Sequence, residues 1–312
     1  NDRGALRAGL HPRLLPGGRA VEDDAARARI EVAWGTLLPG SPGRDTDGIL
    51  RAAAAREIDV LFLVGVDPLR DFPDARLARQ ALENVEFKVV IDIDGSAMAP
   101  FADAMLPAAP YLEKDGHYTD WEGRVQRLRP VRAPLGLARS EWEIFQELSE
   151  VMGKDMGFHS LDALHEEMGA LYAAEARSAG RPREVPNAPS GGAPARQQPP
   201  RSEELILFSY PLLVDEGKLS AGADTLKEAL EDEAFVELHA ADAERLGVAD
   251  GESVRVRTEA GEAELPARIS DGVAPGTVFV PWNQPDLAAN TLLSGRLTAS
   301  VAVESIGAEV TA

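Results

Sequence analysis

The side chains best suited to hold a polar ligand lie close together, between Glu113 and Gln126. Six formally charged residues fall in this stretch, which also contains His117, Tyr118, Thr119 and Trp121. Gly116 and Gly123 interrupt it, and glycine permits positive φ angles or close approach to the backbone. Charged groups in such a loop could bind a polar molecule, but solvated surface loops have the same composition. The sequence therefore predicts a polar loop and leaves ligand binding and solvation open.

Motifs that would carry catalysis are missing from the sequence. It contains no P-loop, GxGxxG run, nucleophile elbow or cluster of metal ligands. His159 and His165 are six residues apart, a spacing that does not place two side chains on one helix face. Because the chain has no cysteine, disulfides and cysteine-ligated iron–sulfur or zinc centres are excluded from these 312 residues. We predict no catalytic residue and no metal site.

Apolar runs predict a small parallel sheet. Val60 to Val66 and Phe87 to Ile93 have the continuous apolar character of strands buried on both faces, and Ala104 to Leu106 is predicted as a shorter third strand. A helix opened by Asp71 and Pro73, running to about Leu82, would join the first two strands as a βαβ unit. Further strands outside this sequence are expected to complete the sheet.

The turn after the first predicted strand is a second candidate site. Ligands of parallel sheets gather at the carboxyl ends of the strands, which makes Gly65 and Asp67 candidates. The alternative is a structural role, in which Gly65 provides room for the turn and Asp67 caps it before Pro68.

Helical periodicity surrounds the sheet region. Helices are predicted from Asp23 to about Leu37 and from Thr46 to Arg56, the second with Asp45 as its N-cap. A later helix should close one face of the sheet with an apolar stripe, namely Trp142, Phe145, Leu148, Val151 and Met152.

The chain changes character between Arg177 and Arg201. This segment has six prolines, five arginines and one large apolar residue, so it cannot bury enough surface to fold and is predicted to be a linker. We therefore divide the chain into an α/β domain at 1–176, the linker at 177–201 and a second domain at 202–312.

The second domain is predicted to be a small β-barrel, because its apolar residues alternate with period two. The predicted strands are Leu205–Phe208, Phe235–Leu238, Val254–Arg257, Glu262–Ile269 and Thr277–Val280. One short helix, from Ala241 to Leu246, should end at Gly247.

Charge and hydropathy limit the classes of partner that the chain could bind. The formal net charge is −20, which disfavours nucleic acid because binding phosphates requires a basic surface. No run approaches 18 consecutive apolar residues, so any link to a membrane should be made through partner proteins. The first residue is Asn1 rather than methionine, and we expect the chain to be a piece of a longer protein.

Three runs carry a family resemblance: ADAMLPAA at 102–109, EKDG at 113–116 and EGRVQ at 122–126. Together they resemble a signature of the molybdopterin oxidoreductase superfamily, and most of all the family of G subunits from bacterial NADH-quinone oxidoreductases (respiratory complex I), as does the GVDP turn at 65–68. His117 stands where that family typically has threonine. The barrel region, from ELHAADAERLG at 237–247 to VFVPW at 278–282 and AAN at 288–290, is similar to the superfamily's pterin-dinucleotide-binding barrel.

The resemblance implies both a fold and a function. The fold is α/β: an incomplete Rossmann-like parallel-sheet domain followed by a double-psi β-barrel. The function is that of a C-terminal scaffold portion of the large iron–sulfur subunit, supporting electron transfer from NADH to quinone in a translocating complex. Iron–sulfur clusters would lie in the preceding sequence, and the partners would be other subunits of the hydrophilic arm, on the cytoplasmic face of the membrane. The alternative is the cofactor-binding half of a molybdenum enzyme such as formate dehydrogenase.

The resemblance also defines a candidate cleft for a pterin dinucleotide, which we interpret as vestigial. Its residues are Gly65, Asp67, Asp103, Lys114, Asp115, Gly116, Glu122, Gly123, Arg124 and Asn290. Carboxylates outnumber cations in these loops and would repel a pyrophosphate. We expect Lys114 and Arg124 to pair with carboxylates of the chain. No cofactor is expected in this sequence, and molybdopterin dinucleotide is an alternative that is not favoured.

Overall fold

The computed structural model of the chain describes residues 1–95, 97–178, 205–218 and 220–306, with only the backbone described for 173–178. The predicted linker at 177–201 lies outside the described residues from 179 onward. No described helix combines the length and the apolar character needed to cross a membrane.

The elements before residue 179 alternate between helices and short strands. They are α1 (Asp2–Arg7), β1 (Leu14–Leu15), β2 (Arg19–Ala20), α2 (Asp24–Trp34), α3 (Thr46–Ala54), β3 (Val60–Val64), α4 (Pro68–Asp71), α5 (Ala75–Asn84), β4 (Phe87–Asp92), β5 (Ala104–Pro107), β6 (Gly116–Thr119), β7 (Val125–Leu128), α6 (Glu141–Val151) and α7 (Leu161–Ser178).

The elements after residue 204 are mostly strands. They are β8 (Leu205–Phe208), α8 (Asp224–Leu230), β9 (Val236–Leu238), α9 (Ala240–Leu246), β10 (Ser253–Arg257), β11 (Glu262–Ile269), β12 (Thr277–Phe279), β13 (Asn283–Gln284), β14 (Leu287–Ala288), a 3-10 turn (Ala289–Leu292) and β15 (Thr298–Ser305).

Two compact units divide the chain. Among the described residues, the first unit comprises Asn1–Val66, 84–95 and 97–178, and the second comprises Asp67–Glu83, 205–218 and 220–306. Most of the crossover between β3 and β4 thus groups with the barrel rather than with the sheet that it connects. The domain division based on the sequence placed 67–83 in the first domain, because no local sequence pattern indicates that this segment groups with the barrel.

A three-stranded parallel sheet lies in the first unit, with the order β3–β4–β5. The parallel arrangement and the number of strands confirm the sequence prediction. Helix α6 packs on one face, where Ile144 joins Val89, Ile91 and Ala108 in a buried cluster. The helix begins with a capping box in which Ser140 and Glu143 bond each other's backbone N–H groups.

Two predictions about this sheet are wrong in detail. Strand β3 is not buried on both faces: Leu61 and Leu63 are buried, whereas Phe62 is 41% exposed. The face of β3 that carries Phe62 is covered only in part, by Phe145 of α6, whose ring centre lies 6.3 Å from that of Phe62. The apolar stripe of α6 is also shorter than predicted, because Val151 and Met152 are 87% and 70% exposed at the end of the helix.

The polar stretch from Glu113 to Gln126 is not a simple loop. It forms an antiparallel hairpin in which His117 pairs with Arg127 and Thr119 pairs with Val125. The turn closes at Gly123, whose φ of +87° is unfavourable for residues with a side chain.

A closed six-stranded barrel forms the core of the second unit, with the order β10–β11–β9–β12–β8–β15. The pairs β9–β11 and β8–β12 are parallel, and the other neighbours are antiparallel. Alternate residues point into one apolar cluster that includes Val254, Val256 and Leu207, all with no exposed surface. The predicted barrel is confirmed, and α9 ends at Gly247 as expected.

The segment 67–83 is attached to the barrel through backbone groups. Trp282 donates its indole N–H to Arg70 O at 2.9 Å, and the Asn290 amide donates to Leu69 O at 2.7 Å and to Phe72 O at 2.8 Å. Gly295 N also donates to Pro73 O at 3.2 Å. These bonds explain why the crossover groups with the second unit.

Candidate functional site

Gly65 follows β3 at the carboxyl edge of the sheet. Its backbone N–H donates to Ile91 O at 2.9 Å, and its φ is +64°. A Cβ added there would meet no atom within 4 Å, so the backbone conformation, rather than crowding, calls for glycine. Gly65 therefore ends the strand, and nothing in its surroundings requires a ligand.

Asp103 lies at the opposite end of the sheet from Gly65, immediately before β5. Its Oδ2 is 2.9 Å from Lys88 Nζ and accepts Lys88 N at 2.8 Å. Lys88 is buried and also donates to Val85 O at 2.9 Å. The contact with the Lys88 ammonium holds the pKa of Asp103 below its usual value. The arrangement gives Asp103 a structural role that fixes the start of β5.

The Asp103–Lys88 pair predicts an acid-dependent loss of stability. The pKa of Asp103 is lower in the folded than in the unfolded chain, so the stabilisation is complete above the usual value of 3.8 and is lost as pH falls through the lowered folded value. Asp103→Asn should therefore unfold at lower urea concentration than the parent at about pH 6, and the gap should narrow at about pH 3. Glu122→Gln, at an exposed carboxylate, serves as the control. A gap that is independent of pH would contradict the assignment.

Lys114 and Asp115 are both occupied by partners within the first unit. Lys114 Nζ donates to the two carboxylate oxygens of Glu141 at 2.6 and 2.7 Å. Asp115 accepts from Arg127 Nε at 3.1 Å and from Arg127 Nη2 at 2.6 Å. The Arg127 guanidinium lowers the pKa of Asp115. Gly116 is the first residue of β6, and a Cβ added there would meet no atom within 4 Å.

Glu122, Gly123 and Arg124 form the exposed turn of the β6–β7 hairpin. Asp120 N donates to Arg124 O at 3.0 Å, and Arg124 N donates to Asp120 Oδ1 at 2.8 Å. Arg124 Nη2 lies 2.5 Å from Glu122 Oε2, while its side chain is 73% exposed. Both cations of the candidate set, Lys114 and Arg124, are thus paired with carboxylates, as the charge balance predicted.

Asp67 and Asn290, the remaining candidates, belong to the second unit. Asp67 is the N-cap of α4: its Oδ1 accepts Leu69 N at 3.0 Å, and its own N–H donates to Asp71 Oδ2 at 2.9 Å. Burial raises the pKa of Asp67. Asn290 is 1% exposed, and its amide group donates two hydrogen bonds to carbonyl oxygens of the 67–83 segment. The capping alternative that the sequence allowed for Asp67 is observed.

The barrel unit also contains a polar cavity that the sequence did not predict. Its volume is about 400 Å³, and it is lined by Arg70, Glu216 and the segment 283–288. Three buried amide oxygens of this region have no hydrogen-bond donor in the described structure: Asn283 Oδ1, Gln284 Oε1 and Asn290 Oδ1. Buried acceptors without donors are uncommon. Each oxygen has less than 1 Å² of exposed surface, and of the three residues only Asn283 and Gln284 line the cavity.

Glu113 is a second feature that sequence reasoning missed. Its side chain is 2% exposed, and it accepts from Arg132 Nε at 2.8 Å and from Leu135 N at 3.1 Å. A charged residue in a polar run gives no sign in the sequence that it will be buried. The contact ties the start of the hairpin region to the segment that precedes α6.

Two family matches cover most of the chain. Residues 37–151 match the Molybdopterin oxidoreductase family, and residues 214–306 match the Molydopterin dinucleotide binding domain. The matches fall where the sequence motifs indicated the superfamily. The chain therefore carries molybdopterin oxidoreductase domains, and the predicted resemblance is confirmed.

The curated relatives make the resemblance more specific. The G subunit of NADH-quinone oxidoreductase from Mycobacterium bovis is 34% identical over 285 residues, which is 90% of this chain and 34% of the relative. The G subunit of the Streptomyces coelicolor oxidoreductase is 34% identical over 287 residues, 90% of this chain and 33% of the relative. A putative formate dehydrogenase from Bacillus subtilis, YrhE, is 30% identical over 315 residues, 92% of this chain and 32% of the relative. The homologues thus include G subunits of this oxidoreductase, and the chain spans about a third of the length of the curated relatives it matches.

A solved structure supports the architecture. The chain is similar to acetylene hydratase from Pelobacter acetylenicus, with a TM-score of 0.61, 17% sequence identity, and coverage of 97% of this chain and 52% of that chain. At this identity the likeness concerns the fold alone.

Proposed function

We propose that the chain is a C-terminal scaffold portion of the large iron–sulfur subunit of an NADH-quinone oxidoreductase, supporting electron transfer from NADH to quinone. The observation that carries the proposal is the pairing of Lys114 and Arg124 with Glu141 and Glu122, in a chain whose homologues include G subunits of such oxidoreductases. The motif residues that could hold an anionic cofactor instead hold the chain together. In this assignment the fragment has no catalytic centre of its own and belongs to a translocating complex.

The same proposal assigns the finer fold. The parallel β3–β4–β5 sheet is an incomplete Rossmann-like domain, and the barrel is of the double-psi type. The mixed parallel and antiparallel pairing of the barrel and its match to the dinucleotide binding domain support this. The proposal keeps the domain ranges 1–176 and 202–312, joined by a linker at 177–201, although the 67–83 segment groups with the barrel unit.

The cofactors and partners follow from the same assignment. The sequence has no cysteine, so cysteine-ligated iron–sulfur clusters of the parent protein would be bound by residues outside these 312. The partners would be other subunits of the hydrophilic arm, at the cytoplasmic face of the membrane and attached to it only through those subunits. The net charge of −20 argues against nucleic acid.

The candidate residues do not fit a bound pterin dinucleotide. Its pyrophosphate would need free cations or backbone donors. Lys114 and Arg124 are each paired with a carboxylate, and the N–H groups of Asn290 are used by Leu69 O and Phe72 O. Releasing either cation would leave a carboxylate facing the incoming phosphate. We therefore interpret this set of residues as vestigial.

The molybdenum-enzyme alternative is favoured by a different observation. The buried oxygens of Asn283, Gln284 and Asn290 lack donors, and a pterin or guanine ring carries several N–H groups. The family match of this region and the relatedness to YrhE point the same way. In this second assignment the chain is the cofactor-binding half of an enzyme such as formate dehydrogenase.

Equilibrium titration separates the two assignments. We expect no micromolar binding of GDP or of molybdopterin guanine dinucleotide to the 312-residue chain, measured by calorimetry. Glu122→Gln is the matched variant, because it frees Arg124 without removing it and should raise weak anion binding if pairing closes the site. Micromolar binding by the parent that Arg124→Ala abolishes would reverse the assignment, and molybdenum in the purified full-length protein would do so as well.

A further inference from the structure

His117 and His165 lie edge to edge, although 48 positions separate them in the sequence. Their ring centroids are 5.1 Å apart, and the ring planes make an angle of 65°. His117 belongs to β6 and His165 to α7, both within the first unit. In the described part of the chain, neither imidazole ring makes a hydrogen bond or an ion pair. The two imidazole rings thus contact each other at the surface, and their nitrogens have no hydrogen-bond partner among the described residues.

A carboxylate stands beside the two rings. Asp115 lies two residues before His117 and interacts electrostatically with both imidazoles, while Arg127 supplies its hydrogen bonds. The charged groups that face the pair from the hairpin are therefore Asp115 and Arg127, with opposite signs. From α7, Asp162 also interacts electrostatically with Arg127, so the charged groups around the pair include two carboxylates and one guanidinium, a balance that favours a cation.

The separation of the rings matches that of two histidines on one metal ion. A zinc–nitrogen bond is about 2.0–2.1 Å, and the ring centre lies about 1.1 Å beyond the nitrogen, so each centre would be about 3.2 Å from the metal. At the tetrahedral angle, two such centres are about 5 Å apart. The observed 5.1 Å agrees with this value. Imidazole nitrogens are suitable ligands for zinc, nickel and copper.

We propose that His117 and His165 form a surface site for a divalent transition metal such as Zn²⁺, with water completing the coordination. Both carboxylate oxygens of Asp115 accept hydrogen bonds from Arg127, so Asp115 would act on the bound cation through its charge rather than as a ligand. The site would join the β6–β7 hairpin to α7. That helix is already held further along by Leu171, which packs against Leu15, Val21, Ala26 and Ile30, and by Glu167, which accepts the Trp34 indole N–H at 2.8 Å. The metal would add a connection near the start of the helix.

Another group of ligand-type residues provides the competing site. Ligand atoms of Glu150, Asp155 and His159 lie within 4.8 Å of one another, and all three residues are exposed. There, however, the two nitrogens of His159 face carboxylates already, Glu150 at 3.4 Å and Asp155 at 3.3 Å. Both nitrogens of His159 thus have a polar neighbour, whereas among the described residues neither ring of the His117–His165 pair has a hydrogen bond or an ion pair.

Calorimetric titration of the 312-residue chain with Zn²⁺ near neutral pH tests the proposal. We expect one micromolar site, at least about tenfold weaker in His117→Ala and in His165→Ala, and unchanged in His159→Ala. Binding should disappear at about pH 5.5, because a protonated imidazole cannot ligate a metal. Added Zn²⁺ should raise the melting temperature of the parent and of His159→Ala only.

Cobalt substitution supplies a readout of the ligand geometry. Co²⁺ in the parent should give the visible absorption of a tetrahedral site, and each of the two histidine variants should lose it while keeping the parent circular dichroism spectrum. The proposal is overturned if His159→Ala alone abolishes binding, if no variant changes it, or if the parent binds no Zn²⁺ in the micromolar range.

Discussion

Replacing Arg132 with alanine is expected to cost about 3 kcal/mol of stability, because the change leaves a buried carboxylate without its cation. Glu113 has a side chain that is only 2% exposed, and Arg132 bonds one of its oxygens through Nε and Nη2. After the substitution a single donor, Leu135 N, would remain within reach of the carboxylate. The measurement is urea unfolding followed by the fluorescence of the tryptophans in the first unit.

A second variant identifies the cause of the loss. If the uncompensated charge of Glu113 is responsible, adding Glu113→Gln to Arg132→Ala should recover part of the stability, because an amide costs less to bury than a carboxylate. Arg124→Ala is the matched control, since Arg124 is 73% exposed and its pair with Glu122 should contribute less than about 1 kcal/mol. A double variant no more stable than Arg132→Ala, or an equal loss in Arg124→Ala, would contradict the assignment.

The contrast between these two arginines shows what the sequence could and could not predict about the candidate site. Both follow the EKDG motif at short distance, and only Arg124 belongs to a recognised motif. Residue types and charge balance predicted that the cations would be paired. They could not predict which carboxylate would be buried, because burial of Glu113 depends on where the segment 132–135 passes in space.

Periodicity predicted the fold where one local pattern decides the structure. Strands β8 and β11 have the predicted limits, and Asp45 and Gly247 cap their helices as expected, because alternation and capping are local properties. Strand β15 was missed. Its sequence TASVAVES carries two buried valines among small and polar residues, so its apolar signal is weak, yet it closes the barrel by pairing with β10 and β8.

Long-range contacts account for most of what the sequence did not predict. The hairpin β6–β7 is composed of polar residues, and its strands form because the turn at Gly123 brings them into register. The contact between His117 and His165 joins residues that are far apart in the sequence and have no periodic relation. The sequence instead suggested His159 and His165, six residues apart, as the pair to consider, but His165 contacts His117. The attachment of 67–83 to the barrel depends on two side chains more than 200 positions away.

That attachment predicts the largest effect of a single conservative change. Asn290→Asp should cost about 4 kcal/mol, because it removes both donors and places a carboxylate against Leu69 O and Phe72 O. Asn290→Leu, which removes the donors without adding charge, should cost about half as much. Thr291→Ala is the neighbouring control and should change stability by no more than about 1 kcal/mol, since Thr291 is exposed and its hydroxyl makes one hydrogen bond, to Ala288 O at 2.7 Å.

The effect of Asn290→Asp should also depend on pH, in a direction that the mechanism fixes. A buried carboxyl group facing carbonyl oxygens has a raised pKa, so the folded state takes up its proton more readily than the unfolded state does. The stability of the variant should therefore fall as pH rises. It should partly recover as pH falls, because the protonated carboxyl group of the variant provides one hydrogen-bond donor. Hydrogen exchange of the Trp282 indole, whose acceptor is Arg70 O in the same segment, reports the local loosening. If the variant were as stable as the parent, the two hydrogen bonds of the Asn290 amide would contribute little to holding the segment.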